Sequence, residues 1–373
     1  MTVSSSCGTE RGRGQVIHRV KRTDEQLREL DKPKLETVPT GFAVSEQDVL
    51  IMCAGFEDRA VHFLRSAVES GSRGFRVLAF DYLPSLPENR LAEALALSDS
   101  AGAAVVEVTY DRASPSGAGQ RMMEALQDVG GRIFLDISGM SRLLIVQALV
   151  ALAESSAALS RTSVLYAEAA DYPPSEGDVA KALCEAGPGN LHEAVFLSSG
   201  VFGITIVPEL STVAMQGQAL RIIAFPSFNV QQLLALRIEL QPSHFVLIHG
   251  VPHLAENAWR PSAIEGLNRT SEIRPRDDFR TSTLDYRETL ERLLLIYDQY
   301  GASEQLVVAP TGSKMQAVAV GLFRAFMQDI QIVYPTPRVF TRPERYTRGV
   351  LAGWLLKLDT FGGLRYGSTS GSW

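Results

Sequence analysis

The stretch Pro84-Ser85-Leu86-Pro87-Glu88-Asn89 recurs as Pro252-His253-Leu254-Ala255-Glu256-Asn257, so both copies read Pro-x-Leu-x-Glu-Asn at a spacing of 168 residues. Further landmarks keep one order on either side of it. Gly55-Phe56-Glu57-Asp58 matches Ser227-Phe228-Asn229-Val230 at 172 residues, and Asp136-Ile137-Ser138-Gly139 matches Ala309-Pro310-Thr311-Gly312 at 173. Val164-Leu165-Tyr166 matches Ile332-Val333-Tyr334 at 168, and Ser198-x-Gly200-Val201 has a looser counterpart in Thr347-x-Gly349-Val350 at 149. Matches in a single order predict two related lobes that face each other.

Between the landmarks, short β-branched runs alternate with longer helical stretches. The runs are 49–53, 75–80, 104–108, 133–136 and 162–166 in the first half, then 221–225, 245–249, 271–274, 305–309 and 331–334 in the second. Strands alternating with helices build βαβ units and a parallel sheet covered on both faces. Each half then adds one strand, 203–207 and 354–358. The expected fold is therefore α/β: two tandem Rossmann-like lobes with mostly parallel sheets, arranged as an intramolecular pseudo-dimer. The expected division is a polar arm 1–44 ending in a helix near 24–30, a first lobe 45–212, a second lobe 213–361 and a tail 362–373. Residues 171–190 read as a loop-rich insertion, and 209–218 as the link between lobes. The stretches Arg142–Glu154 and Lys314–Met327 are apolar almost all round, which places them between a sheet and another layer, here the opposite lobe.

The chain has 373 residues, a net charge of −6 and a pI near 5.6. That charge argues against constitutive binding of nucleic-acid polymers, while leaving room for a small anionic ligand. Cys7, Cys53 and Cys184 are scattered, which argues against a disulfide framework or a zinc site and for a reducing cytoplasm. The longest apolar stretch, Leu143–Ala153, is too short to span a bilayer, and no cofactor or membrane association is expected.

Ligands of open α/β sheets bind at the carboxyl ends of the strands. Ser138-Gly139-Met140-Ser141-Arg142 and Thr311-Gly312-Ser313-Lys314 each place a hydroxyl residue, a glycine and a cation where the fourth strand meets its helix. Glycine allows close backbone approach, a helix N-terminus offers free N–H groups, and Arg142 or Lys314 supplies charge for a phosphate. The same pattern also suits an ordinary capped helix start.

This Asp-x-Ser/Thr-Gly pattern with a following cation resembles the signature of CRISPR-associated Rossmann-fold (CARF) domains and related sensors of bacterial antiviral systems. The resemblance implies a cyclic oligonucleotide bound across a two-fold axis between two such domains. Carried onto this chain, it points to Ser138, Gly139 and Arg142, and to Thr311, Gly312 and Lys314. The loops at Gly55-Phe56-Glu57 and Ser227-Phe228-Asn229 would flank the ligand. The chain departs from the family in having one glycine, not two adjacent ones, before each cation, and in having Ala309 where the first lobe has Asp136.

Other residues carry alternatives. Glu57, Asp58 and Asp136 form an acidic set fit for acid–base catalysis or for local structural pairing. Asn89 and Asn257 either read a base edge or cap the next helix. His244, His249 and His253 do not form a metal set, because Gly250 and Pro252 break the helix they would need; His249 remains a ligand contact. Arg338, Arg342, Arg345 and Arg348, with Phe340 and Tyr346, form a basic stretch that suits either a solvated loop or phosphate and base contacts. The leading expectation is a sensor of a phosphorylated nucleotide with an effector protein partner. The alternative is a nucleotide-acting hydrolase, a phosphodiesterase or glycosidase, using the first lobe's acids.

Overall fold

The β-branched runs become the strands of two parallel sheets in this computed structural model, which describes residues 23–39, 41–186, 198–269, 275, 277–340 and 346–364. Numbered along the chain, the first half carries β1 (Glu36–Thr37), β2 (Val49–Cys53), β3 (Arg76–Leu83), β4 (Ala104–Asp111), β5 (Ile133–Asp136), β6 (Thr162–Glu168) and β7 (Ser198–Thr205). The second carries β8 (Ala219–Ala224), β9 (His244–Val251), β10 (Asp277–Ser282), β11 (Glu304–Ala309), β12 (Gln331–Ile332), β13 (Tyr334–Phe340) and β14 (Ala352–Lys357).

The parallel strands lie in the order β4-β3-β2-β5-β6 in one sheet and β10-β9-β8-β11-β12 in the other. Both therefore run third, second, first, fourth, fifth, and each has its topological switch point between the first and fourth strands. The Rossmann-like class expected from the alternation is what the structure shows. Central β2 and β5 are buried at every residue, while edge strand β4 alternates exposed and buried positions, as coverage on both faces of the sheet centre requires.

The two extra strands do not stay with their own halves. β14, from the end of the chain, pairs antiparallel with β6 in the first lobe's sheet, from Ala352 opposite Glu168 to Lys357 opposite Ser163. β7, from the end of the first half, pairs antiparallel with β13 beyond the second lobe's fifth strand. Each half thus lends its last strand to the other. Each exchanged strand has a glycine in the left-handed region, Gly200 near the start of β7 at φ +64° and Gly349 ahead of β14 at φ +63°, which is the physical content of the loosest repeated landmark. A contiguous cut at residue 212 consequently separates β14 from the sheet it completes.

Helices Arg142–Ala153 and Lys314–Phe326, the equivalent elements after each fourth strand, pack against each other at the centre. Ten of the twelve residues in the first are buried, and in the second every residue except Lys314. Gly321 lets them approach closely: a Cβ there would lie 2.8 Å from Leu149 Cδ1 and 3.4 Å from Val146 Cα. One apolar cluster runs through both lobes, with each fully buried leucine such as Leu144, Leu149 or Leu322 contributing roughly 2 kcal/mol.

Three expectations need correction. The second lobe's third strand is Asp277–Ser282; the expected 271–274 lies outside the described residues. The insertion after β6 is not all loop, because Glu176–Ala186 is helical. The expected helix near 24–30 is present as Thr23–Glu29, but the arm from there on is docked: Leu27 is fully buried, Tyr286 donates its hydroxyl to Pro33 O at 2.9 Å, and β1 pairs with β14. Residues 1–22 and 365–373 lie outside the described part. Among the described residues, no helix is long and apolar enough to cross a membrane.

Candidate functional site

The two strand-end turns lie side by side across the lobe boundary, each lining its own cavity, because the central helices that follow them start next to each other. Ser141 caps the first, accepting from Leu144 N at 3.2 Å. Ser313 caps the second in a capping box with Gln316. The cations that follow reach across the lobe boundary in both directions. Arg142 Nε donates to Gly312 O, and Lys314 Nζ donates to Ser138 O at 2.7 Å and Met140 O at 2.8 Å.

The hydroxyls and glycines of these turns serve the scaffold. Ser138 Oγ accepts from Ala167 N at 2.8 Å, tying β5 to β6, and Thr311 Oγ1 donates to Phe225 O at 2.7 Å, tying β11 to β8. A Cβ on Gly139 would fall 2.0 Å from Cys53 O, and one on Gly312 would fall 3.0 Å from Phe225 Cβ. Gly139 is therefore required by the neighbouring first strand, whereas a Cβ on Gly312 would first meet the Gln316 side chain of its own helix, 2.2 Å from Oε1. The cations carry the site's chemistry, and the turns hold them in place.

Two cavities flank this crossing and share Arg142, Tyr166, Tyr172 and Ser313. The first, of about 270 Å³, adds Gly55, Phe56, Glu57, Gly139 and Lys314; the second, of about 250 Å³, adds Phe228, Asn257, Thr311 and Gly312. Tyr334, at the start of β13 in the second half, lines the first cavity, while Tyr166, on β6 in the first half, lines both. The arrangement is thus pseudo-two-fold, and each side is completed by the opposite lobe.

Its electrostatics are uneven. Burial pulls the Lys314 amine down to about 7, with Glu57 opposing the shift and Arg59 and Arg142 adding to it. Glu57 Oε2 accepts from Arg59 Nη2 at 2.9 Å and lies 3.9 Å from Lys314 Nζ, while its Oε1 accepts from Thr347 Oγ1 at 2.5 Å. Burial opposes ionisation of Glu57, but these partners outweigh it and hold the carboxyl below its usual range. Asp136 is 1 % exposed, and burial lifts its carboxyl to about 7, against the pull of Ser138, Lys314 and Arg59. It lies behind the turn and lines none of the cavities described.

The remaining expected residues separate clearly. Asp58 Oδ2 accepts from Gly349 N at 3.0 Å, and Asp58 and Asn89 line a third cavity of about 580 Å³. Asn89 makes no capping bond to the helix Leu91–Ser100, whereas Asn257 Oδ1 accepts from Arg260 Nε at 2.9 Å. Asn229, 5 % exposed, and His249, 2.6 Å from Asp278 Oδ1, lie outside all three cavities. Among the described residues no group of three His, Cys, Asp or Glu could hold a metal ion. In the basic stretch, Arg342 and Arg345 fall outside the described residues. Arg348 pairs main chain to main chain with Asp171, and Tyr346 stacks on Phe56 at 4.0 Å.

Sequence reasoning passed over Tyr82, Tyr110, Tyr172, Arg59 and Arg112, all of which line the first cavity. A signal existed for two more. Tyr166 and Tyr334 close the repeated Leu-Tyr and Val-Tyr landmark, and matched aromatic residues at strand ends mark a shared wall.

No family model matches the chain, and no curated protein matches it. Among solved structures, the cytoplasmic domain of a prokaryotic cation chloride cotransporter aligns at 11 % identity over 77 % of this chain and 94 % of its own, with a TM-score of 0.22. A ketoreductase domain from the bacillaene assembly line aligns at 11 % over 80 % and 69 %, TM-score 0.18. A mutant O-ureido-L-serine synthase bound to O-ureido-L-serine aligns at 13 % over 87 % and 78 %, TM-score 0.17. The CARF resemblance accordingly stands on the residues quoted above alone.

Proposed function

We propose that the composite cleft binds a phosphorylated nucleotide and that the chain is a cytoplasmic ligand sensor acting on an effector protein. The observation that supports this most is the reciprocal crossing of Arg142 to Gly312 O and Lys314 to Ser138 O and Met140 O. Carbonyl oxygens now occupy donors that a phosphate would satisfy better, because charge-assisted bonds to an anion are the stronger kind. A phosphate entering the hollow would take these cations over and loosen the lobe-to-lobe contact, converting occupancy into a change of lobe geometry.

Tyr82, Tyr110, Tyr166 and Tyr172 give the hollow an aromatic lining suited to a base. Because the two cavities share residues at the pseudo-axis, a cyclic oligonucleotide spanning both is the ligand type the shape favours. The proposal is tested by isothermal titration against a panel of cyclic and linear nucleotides, with Arg142→Ala and Lys314→Ala alongside. Binding that weakens in both variants supports it. Absence of binding across the whole panel discards it.

A further inference from the structure

A cavity of about 580 Å³ opens beside the first lobe's cleft and shares Phe56, Glu57 and Thr347 with it. The stacked rings of Phe56 and Tyr346 form one wall, and the Pro-x-Leu-x-Glu-Asn loop, ending at Asn89 and Arg90, forms another. Several polar atoms of its lining residues are withdrawn from water and have no hydrogen-bond partner among the described residues: Oδ1 and Nδ2 of Asn89, Oδ1 of Asp58 and Nε of Arg90. Buried polar groups are nearly always paired, so such a concentration on one cavity wall calls for an explanation.

The fold does not supply one. Arg90 occupies the N-cap of the helix Leu91–Ser100 with no side-chain capping bond, so the Asn89 amide is not needed to start that helix. In the second lobe the need has disappeared: Asn257 is engaged by Arg260, and Val230 stands at the position of Asp58. The second lobe's counterparts of Asp58 and Asn89 are thus a valine and an already bonded asparagine.

We infer that this cavity is a nucleobase subsite and that it takes guanine; the inference rests on the nucleotide reading of the adjoining cleft. The unpaired set offers two acceptors, Asp58 Oδ1 and Asn89 Oδ1, and two donors, Asn89 Nδ2 and Arg90 Nε. A base that satisfies all of them must present two donor groups and two acceptors. Guanine does, with N1–H and the N2 amine as donors and O6 and N7 as acceptors, whereas adenine, cytosine and uracil each present a single donor group. The Phe56–Tyr346 wall gives the base an apolar flank, and the shared boundary at Phe56 and Glu57 leads its phosphate toward Lys314.

The test titrates the full chain with GMP, IMP, AMP, CMP, cyclic di-GMP, cyclic di-AMP and inorganic phosphate. Wild type, Asp58→Asn, Asn89→Ala and Asn89→Ser are compared, with thermal melts to verify folding. The expected result is guanine ligands binding about tenfold more tightly than their adenine counterparts. IMP, which lacks the N2 amine, falls between them. The substitutions erase this preference and leave the affinities for AMP and inorganic phosphate unchanged. Asn89→Ser carries the test if Asp58→Asn fails to fold through loss of its Gly349 contact. Equal affinity for guanine and adenine ligands, or a preference that survives the substitutions, overturns the subsite and leaves the nucleotide cleft standing. Failure of every nucleotide to bind overturns both.

Discussion

Lys314 Nζ in the second lobe donates to Ser138 O at 2.7 Å and Met140 O at 2.8 Å in the first. The side chain is therefore both the bridge between halves and the buried cation of the cleft. Burial draws its amine down to about 7, so its charge is lost within the physiological range.

Anion affinity should accordingly fall as pH rises through about 7. Lys314 releases its proton there, and Asp136, whose carboxyl burial lifts to about 7, releases one in the same interval. Both changes make the hollow more negative. Calorimetry with inorganic phosphate from roughly pH 6 to 8.5 reads the decline, and Lys314→Arg, whose charge is fixed, should flatten it. A level wild-type profile would contradict the assignment.

The same lysine should cost stability. Its folded value lies below the ordinary 10.5, so the cost is fully present below about 7 and fades as pH rises toward 10.5. Lys314→Met should therefore gain on the order of 1–4 kcal/mol at pH 6, with little gain near pH 10, while losing ligand affinity. Asp136→Asn should show the opposite trend. Its folded value lies above 3.8, so its cost is absent below that pH and complete above about 7. Denaturant melts at several pH values check both signs; a destabilised Lys314→Met at low pH would show that the carbonyl contacts outweigh desolvation.

Residues 1–212 and 213–373 should fold poorly apart and assemble when produced together. The first piece lacks β14, which completes its sheet beside β6, and the second lacks β7, the partner of β13. Size-exclusion chromatography and circular dichroism distinguish the cases. A cooperative melt from 1–212 alone would refute the dependence.

Gly139→Ala should be far costlier than Gly321→Ala. The first Cβ meets a main-chain oxygen, Cys53 O, at 2.0 Å, and the second meets the movable end of Leu149 at 2.8 Å. Losses of about 3 kcal/mol or more against about 1 kcal/mol are expected from denaturant titration. The reverse ranking would mean that the helix pair, not the turn, is the tighter fit.

Much of the scaffold was readable because parallel strands buried on both faces read as near-continuous apolar runs, as Val49–Cys53 and residues 133–135 do. The equivalence of the two turns was readable through repetition, and Arg142 and Lys314 followed from their place after each glycine, but whether the strand ends face each other was not. Strand ownership was not readable. Nothing in the residues of Ala352–Lys357 announces that they pair with β6 of the first half. Nor could periodicity reveal that the Ser138 and Thr311 hydroxyls would be consumed by their own scaffold, or that of the matched Asn89 and Asn257 only the second would be bonded among the described residues. For the two hydroxyls the outcome depends on which main-chain group of the same lobe, distant in sequence, comes to lie beside them, a matter that local pattern does not encode.

The lending of last strands between halves has a thermodynamic corollary. Neither half can melt without stripping a ladder from the other, so heating should produce one calorimetric transition rather than two. The hollow between them can widen only as a pair of laced shutters does, by pivoting, with the lacing intact.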